Sequence, residues 1–304
     1  MLLTKWQQRH RLFSMPPEIL FLCFQMSLFF TSLNSGSNGN CYYIGNQNEA
    51  ILVDAGISCR EMEKRLKRLN LSIEKIKAVF ISHEHSDHIK GIETLSRKYK
   101  LPVYITAKTL AGGRLKLQSH LTISFKAFES ISYGDLSITA FPKFHDAADP
   151  YSFIVSCNNV KVGVFTDIGS SCHNVIKHFQ ECHAAFLEAN YDEKMLADGN
   201  YPYHLKRRIT GGLGHLSNTQ ALELFNKHRP AFMSHLFLAH LSENNNCPQL
   251  VKDLFDTYAN GVQIIIASRF EETAVYSVQH AGSAVGELLP LKRTMHVQQL
   301  SLSF

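Results

Sequence analysis

Residues 80–91, Phe-Ile-Ser-His-Glu-His-Ser-Asp-His-Ile-Lys-Gly, decide the fold of this chain. Phe80 and Ile81 end an apolar run that begins near Ile76, so the polar residues that follow lie on the turn after a buried strand. Imidazole and carboxylate groups in such a place need a hydrogen-bond partner or a metal ion once they leave water. A pair of metal ions is the simplest partner that all of these side chains can share.

The spacing within this stretch predicts two adjacent metal sites. On an extended or turning backbone His83 and His85 point the same way, which suits one ion. Asp87 and His88, at the start of a helix predicted for residues 89–97, can face a second ion close by. The alternative is a polar loop in which Asp87 only caps the helix, and the repeated histidines argue against it.

More histidines and acidic residues follow other predicted strands. His145 comes after a strand that ends at Phe141; alone it would be read as a loop residue, but beside two placed histidines it completes a zinc-type site with an open position for water. Asp167 ends the apolar strand of residues 160–165 and is predicted to bridge the ions. Asp54 is expected to orient a ligand histidine from behind. The predicted ligands are His83, His85 and His145 for one ion, Asp87, His88 and His240 for the other, and Asp167 between them.

Several neighbouring polar residues have two interpretations. Glu188 and Asn190, after the strand of residues 184–187, can support the ligands, but a helix cap by Asn190 or Asp192 explains them nearly as well. His235 is interpreted as a core or edge histidine, and Asp149, before a proline, as part of a turn.

Residues 201–218 combine a basic triplet with aromatic residues and glycines. Lys206, Arg207 and Arg208 are the predicted contacts to a nucleic-acid backbone, although a solvated helix face explains the triplet equally well when it is taken alone. Residues 211–214 are rich in glycine and allow a ligand to approach the backbone. His215 follows this turn, directly before a helix predicted for residues 218–227.

Eight motifs together resemble one branch of a known superfamily. They are Ser-Gly-Ser-Asn-Gly-Asn, Val-Asp-Ala-Gly, His-Glu-His-Ser-Asp-His, Phe-His-Asp-Ala, Phe-Thr-Asp-Ile-Gly, Leu-Lys-Arg-Arg-Ile, Gly-His-Leu-Ser-Asn and His-Leu-Ser-Glu-Asn-Asn. This series resembles the YycJ (WalJ) branch of the metallo-β-lactamase superfamily from about residue 26 to beyond residue 246. Tyr191 departs from the pattern, since the branch often has histidine there.

The resemblance implies a fold and an activity. The fold is the α/β, four-layer αββα sandwich, with two mixed β-sheets between outer helices predicted for residues 58–69, 89–97, 218–227 and 248–258. The activity is a cytosolic 5′-to-3′ exonuclease on DNA, with a place in DNA repair. Nucleases with a β-CASP insertion are excluded because residues 167–240 are too few for the extra domain, and the protruding Gly/Pro-rich arm of ribonuclease Z is not found.

The predicted site suggests a mechanism. Two cations about 3.5–4 Å apart can hold a shared hydroxide and stabilise an in-line attack on a phosphodiester. The predicted catalytic residues are Asp87, as a ligand, and His215, whose position in the sequence resembles that of the histidine with which phosphodiesterases of this superfamily protonate a leaving oxygen or grip the phosphate. The sequence does not distinguish zinc from manganese, because sites of histidine and carboxylate ligands accept both ions. DNA is favoured over RNA, and the alternative function is hydrolysis of a small ester, thioester or lactone.

Composition sets the remaining expectations. With 304 residues, 45% of them hydrophobic, and a formal charge of +5, the chain suits one globular domain, placed at residues 26–304. Seven scattered cysteines predict reduced thiols in the cytoplasm. Residues 1–25 are basic and then apolar like a signal peptide; we favour a disordered or non-native extension with Met26 as the true start. No stable membrane association is expected, and the oligomeric state is open.

Overall fold

The computed structural model describes residues 27–279, so the predicted extension of residues 1–25 and the predicted start at Met26 lie outside the described residues. The strands are β1 (Ser27–Asn34), β2 (Cys41–Gly45), β3 (Ala50–Val53), β4 (Ile76–Phe80), β5 (Val103–Tyr104), β6 (Thr122–Ile123), β7 (Ser130–Tyr133), β8 (Leu136–Pro142), β9 (Tyr151–Cys157), β10 (Val160–Phe165), β11 (Ala184–Glu188), β12 (His235–Ala239), β13 (Gln263–Ile266) and β14 (Tyr276–Gln279). The helices are α1 (Cys59–Arg68), α2 (Ser86–Ile89), α3 (Ile92–Tyr99), α4 (Ala107–Gly112), α5 (His173–Phe179), α6 (Glu193–Asp198), α7 (Tyr203–Thr210), α8 (Asn218–His228) and α9 (Pro248–Asp256).

The strands form two mixed sheets of seven strands each. The first sheet has the order β14-β1-β2-β3-β4-β5-β6, and the second has the order β13-β12-β11-β10-β9-β8-β7. Strands β3 to β6 run parallel, as do β10 to β13, while the remaining pairs are antiparallel. Each sheet therefore has a parallel half whose strands end at the same edge, and loops after those strands can meet there.

Three apolar clusters define four layers. Phe30, Phe186 and Phe237 lie between the two sheets, where the rings of Phe186 and Phe237 are 4.6 Å apart. A second cluster packs α5, α8 and α9 on the outer face of the second sheet, and a third packs α1 and α3 on the outer face of the first. Because each sheet is covered on both faces, its central strands are apolar throughout. This confirms the predicted αββα sandwich of two mixed sheets flanked by helices.

The sequence prediction differs from the structure where glycine interrupts a regular pattern. The single helix predicted for residues 89–97 is two helices, α2 and α3, separated at Gly91. The backbone of Gly91 packs so closely on residues 55–57 that a Cβ there would lie 2.1 Å from the carbonyl oxygen of Ile57. Before Phe141, where the sequence predicts the end of a strand, the chain forms two strands, β7 and β8, separated by a turn in which Gly134 has φ +53°. Close packing and turn geometry therefore outweighed the periodicity.

The start of α8 is fixed by a reciprocal cap. The Ser217 side chain accepts a hydrogen bond from the Gln220 N–H, and the Gln220 side chain accepts one from the Ser217 N–H. Such a capping box satisfies two backbone donors that the first helical turn leaves free. The turn of residues 211–215 that leads towards the helix has its own hydrogen bonds, from the Gly214 N–H to the Gly211 carbonyl at 2.8 Å and from the His215 N–H to the Ile209 carbonyl at 2.9 Å.

Among the helices of residues 27–279, none combines the length and apolar character that a crossing of the bilayer requires.

Candidate metal centre

The loops after five strands and the last residue of a sixth bring the site residues to one edge between the sheets. Residues 82–88 follow β4, His145 follows β8, and Glu188 ends β11. Asp54, Asp167 and His240 follow β3, β10 and β12, and all three have left-handed backbone angles, with φ of 62°, 53° and 56°. Non-glycine residues adopt this conformation only when surrounding contacts enforce it. In each case it turns the chain away from the strand direction at the site.

Three imidazoles converge on one point, as the sequence predicts. His83 Nε2 lies 3.1 Å from His85 Nδ1, and His145 Nε2 lies 3.3 Å from the same atom. Burial lowers the pKa of His83 and lowers the pKa of His145 to about 4, so both rings are neutral at pH 7. Neutral imidazole offers a lone pair, which is the form that binds a metal ion.

A second group is formed by Asp87, His88 and His240. Asp87 Oδ2 lies 3.5 Å from His88 Nε2 and 3.4 Å from His240 Nε2. Burial alone would lower the pKa of His88, but the carboxylates of Asp167 and its neighbours raise it well above its usual value. The pKa of His240, which burial would also lower, is raised to about 10 by Asp167 and other acidic groups. The carboxylates thus create an environment that favours positive charge.

Asp167 lies between the two groups. Its Oδ1 is 3.8 Å from His145 Nε2 and 3.5 Å from His240 Nε2, while its Oδ2 is 3.2 Å from His88 Nε2. Despite that approach, Oδ2 is buried and accepts no hydrogen bond. A buried carboxylate oxygen without a hydrogen-bond partner is costly unless a cation satisfies it.

The donor atoms fit divalent metal ions. Four overlapping sets of side chains have potential ligand atoms that lie within 4.8 Å of one another, namely His83/His85/His145, Asp87/His88/His240, His83/His88/Asp167 and Asp167/Glu188/His215/His240. Histidine nitrogens combined with carboxylate oxygens are typical ligands of zinc and of related divalent ions.

Asp54 lies behind the second group, where the sequence places it. Its Oδ2 is 2.7 Å from His88 Nδ1, and its Oδ1 accepts a hydrogen bond from the Ser82 N–H at 2.8 Å. A carboxylate on the far nitrogen fixes the tautomer and orientation of the ring, so that Nε2 faces the site. The Ser82 hydroxyl also lies 2.9 Å from His83 Nδ1. Ser82 lies inside the stretch of residues 80–91, so its position next to His83 was a signal for this role that was available in the sequence.

Asn40 is a site residue that the sequence analysis missed. Its side-chain amide donates to Asp87 Oδ2 at 3.1 Å and lies 3.1 Å from His88 Nε2. Residues 35–40 form the turn between the antiparallel strands β1 and β2, and the Asn40 amide at the end of this turn also lines the site.

Glu188 connects His215 with His240. Its Oε1 accepts hydrogen bonds from His215 Nδ1 at 2.7 Å and from His240 Nδ1 at 3.0 Å, and its Oε2 accepts from the Ile168 N–H at 2.7 Å. Burial would raise the pKa of Glu188, but His215 and His240 hold it at about 2. Glu188 is therefore an ionised, fully buried carboxylate that orients both rings.

The alternatives for the residues after β11 are also resolved. Asn190 donates to the His240 carbonyl at 2.8 Å, so it supports the site, whereas Asp192 is the residue that caps α6. Tyr191 is buried and forms an isolated parallel β-bridge with Ser217. His235 is in β12, where its ring packs against Phe30.

Lys143 is a second residue that the sequence analysis missed. It is buried, and its Nζ donates to the carbonyl of Thr166 at 2.6 Å, directly before Asp167. Burial lowers the pKa of its ammonium group. Nothing in the pattern around residue 143 distinguishes this lysine from an exposed one.

The basic triplet lies on α7, a helix without buried residues, and its members differ in environment. Lys206 Nζ donates to the Ala197 carbonyl at 2.6 Å, so it is tied to the preceding helix. Arg208 forms an ion pair with Asp146, next to His145, and this contact places it beside the cluster. Arg207 lies over the ring of Tyr203 at 5.9 Å. The structure thus brings Arg208, but not Lys206, to the metal-type ligands.

Comparisons with known proteins identify the family of this chain. Residues 49–240 match the family model described as a beta-lactamase superfamily domain. The chain is 36% identical to the exodeoxyribonuclease YycJ of Bacillus anthracis over 75% of this chain and 87% of the relative. It is 32% identical to the exodeoxyribonuclease WalJ of Streptococcus pneumoniae over 73% of this chain and 84% of the relative.

A solved structure supports the same fold. The metallo-beta-lactamase fold protein YhfI of Bacillus subtilis superposes with a TM-score of 0.65 and 19% identity, covering 83% of this chain and 100% of that protein.

Proposed function

Because the chain belongs to the metallo-β-lactamase superfamily, within the YycJ/WalJ exonuclease branch, and is therefore a metal-dependent hydrolase, we propose that it is a dinuclear phosphodiesterase that degrades DNA from the 5′ end. The proposal assigns DNA rather than RNA as substrate, DNA repair as the pathway and the cytoplasm as the location. These finer assignments follow from the resemblance to the branch and, for the location, from the scattered cysteines.

One observation carries the proposal: the two donor groups share Asp167 and lie beside the pair formed by His215 and Glu188. We assign His83, His85 and His145 to one ion, Asp87, His88 and His240 to the other, and Asp167 to both. Zinc and manganese are the candidates. Bound divalent ions supply charge neutralisation at the phosphate and a strong nucleophile near neutral pH.

His215 is the residue of this chain best placed to handle a proton during the reaction. Its Nδ1 donates to the ionised Glu188, which leaves Nε2 as the nitrogen that can face a substrate. Asp167 Oδ1 is 3.9 Å from His215 Nδ1, so the ring borders the proposed metal ligands. A general acid must come within hydrogen-bond reach, about 2.6–3.2 Å, of the atom it protonates, and a fixed tautomer keeps the correct nitrogen facing that atom.

The test is digestion of 5′-labelled and 3′-labelled single-stranded and double-stranded DNA, with RNA alongside. Metal-reconstituted protein is compared with the double variant His83→Ala, Asp87→Ala, and bound metal is quantified in both. We expect metal-dependent release of nucleotides from the 5′ end by the wild-type protein and none by the variant, which should also bind less metal.

The same assay separates the proposal from its rival. If the wild-type protein binds two metal ions per chain and leaves DNA and RNA intact while it cleaves a thioester or lactone, the nuclease proposal is wrong. Cleavage within the strand, without release from an end, would contradict the exonuclease assignment alone.

A further inference from the structure

Two large apolar side chains are exposed beside the candidate metal centre. Phe144 exposes 53% of its surface, although it directly precedes the buried His145. Leu213 exposes 54% of its surface and lies two residues before His215. Single exposed apolar residues are common on protein surfaces, so the weight of these two lies in their position in the chain next to residues of one polar site.

The backbone holds these two residues on neighbouring segments. The Asp146 N–H donates to the Leu213 carbonyl at 2.9 Å, and the Gly169 N–H donates to the Phe144 carbonyl at 2.7 Å. Gly169 in turn packs against the turn that carries Leu213, since a Cβ on Gly169 would lie 2.3 Å from the Gly212 carbonyl oxygen. The positions of Phe144 and Leu213 are therefore fixed relative to each other and to the loop that carries Asp167.

Arg208 adds an oriented positive charge at the same place. Its Nε donates to Asp146, the residue after His145, while its side chain remains 57% exposed. Neither of its terminal amino groups forms a hydrogen bond with another residue of the range 27–279. A guanidinium held through Nε keeps both amino groups available in one plane, which is the geometry that binds a phosphate.

We propose that Phe144, Leu213 and Arg208 form a subsite for an unpaired terminal nucleotide of the DNA substrate. The base packs on Phe144 and Leu213, and Arg208 binds a phosphate of the same strand. Aromatic side chains beside cationic groups are the usual means of binding single strands, because every base has a face for stacking. In a closed duplex the terminal base is stacked and paired, so the subsite requires an unpaired or frayed end. This inference rests on the proposed function and adds the form of the substrate.

The test is a binding measurement that does not depend on turnover. The probe is a single-stranded oligonucleotide with 2-aminopurine at the 5′ end and phosphorothioate linkages in its terminal positions, and its fluorescence is titrated with metal-reconstituted protein. Phe144→Ala and Leu213→Ala should weaken binding roughly five- to hundredfold, and Phe144→Trp should retain it, because a second aromatic ring preserves the stacking surface. Arg208→Ala should also weaken binding and reduce the slope of log K against log salt by about 0.7.

Two matched controls are available in the same chain. Phe232 is 48% exposed but lies before β12, at the opposite end of that strand from His240, with its ring 4.5 Å from that of His183. Arg97 is an exposed arginine on α3. Phe232→Ala and Arg97→Ala should bind the probe as the wild-type protein does, and every variant should keep the wild-type metal content and unfolding temperature.

The outcomes separate the subsite from the proposed function. If the wild-type protein degrades DNA but Phe144→Ala and Leu213→Ala bind the probe as tightly as Phe232→Ala, the subsite is wrong and the exonuclease stands. The same titration is repeated with a blunt duplex that carries the same fluorescent base at its 5′ end. If Phe144→Ala weakens binding of this duplex as much as binding of the single strand, the preference for unpaired DNA is wrong. If the wild-type protein degrades no DNA at all, the proposed function fails and the subsite fails with it.

Discussion

A substitution of His215 can separate the proposed proton transfer from metal binding, because His215 is held by Glu188 and is not one of the assigned ligands. His215→Ala removes the ring but none of the seven assigned ligands, so bound metal should stay at the wild-type level. Because general acid catalysis contributes roughly 10²- to 10⁴-fold, kcat on DNA should fall within that range. The control is His120→Ala, an exposed histidine in the short turn before β6. A variant that loses metal together with activity would show instead that His215 holds an ion.

Asp54 offers a second test, because it acts on the centre through His88 and, by way of Ser82, through His83, rather than as an assigned ligand. Asp54→Asn keeps the shape of the side chain but removes the charge that fixes the His88 Nδ1–H, at 2.7 Å in the structure. Loss of such a supporting carboxylate typically costs about 10- to 100-fold in metal affinity, and we expect a loss of that size here. The measurement is metal content after equilibration with a series of chelator concentrations. Asp135→Asn, on the exposed turn between β7 and β8, is the matched control, and equal retention of metal by both variants would exclude the orienting role.

At the scale of elements, the loop after β3 supports α2 through direct backbone contact. The Ala55 N–H donates to the His88 carbonyl at 2.8 Å, and the Gly56 N–H donates to the Asn40 carbonyl at 2.8 Å. Gly56 leaves no space between these segments, since a Cβ there would lie 1.6 Å from the carbonyl oxygen of Asp87. Asp87 can therefore occupy its position only because residue 56 has no side chain.

Gly56→Ala should therefore displace the start of α2. We expect destabilisation of roughly 1–3 kcal/mol or more from overpacking, together with loss of metal from the site that Asp87 and His88 form. The measurements are chemical denaturation and metal content. Gly212→Ala is the control, because a Cβ at Gly212 meets no atom within 4 Å and that variant should unfold like the wild-type protein. If Gly56→Ala has the stability and metal content of the wild-type protein, the loop after β3 and the start of α2 can move apart at little cost, and the prediction is wrong.

The elements also show how far the sequence could predict the site. Strand ends were predictable, because long apolar runs followed by histidine or aspartate identify Asp167 and His240 without any tertiary information. The roles of Asn40 and Lys143 were not predictable from the sequence, because they depend on contacts with residues far away in the chain, Asp87 and Thr166 respectively. The break at Gly91 was missed for the same reason: the close packing of this glycine on residues 55–57, rather than local periodicity, determines where α2 ends and α3 begins.

At the scale of the whole molecule, the candidate ligands come from both halves of the sandwich. His83, His85, Asp87 and His88 follow β4 of the first sheet, while His145, Asp167 and His240 follow β8, β10 and β12 of the second. The first half supplies two ligands to each assigned ion, and the second half completes each set with one histidine and the shared Asp167. Bound metal ions would therefore join the two sheets at the edge where the apolar core between them ends.

Metal removal should accordingly lower the stability of the entire fold. A ligand that binds only the folded state at a hundred times its Kd adds about 2.7 kcal/mol, which for a domain of this size corresponds to roughly 5–10 °C in Tm. Calorimetric scans of metal-loaded and chelator-treated protein at one pH should show a single transition that shifts as a whole. The double variant His83→Ala, Asp87→Ala should unfold at the same temperature with and without chelator. If the chelator only increases proteolysis of the loops after β4 and leaves Tm unchanged, the ions do not join the two sheets.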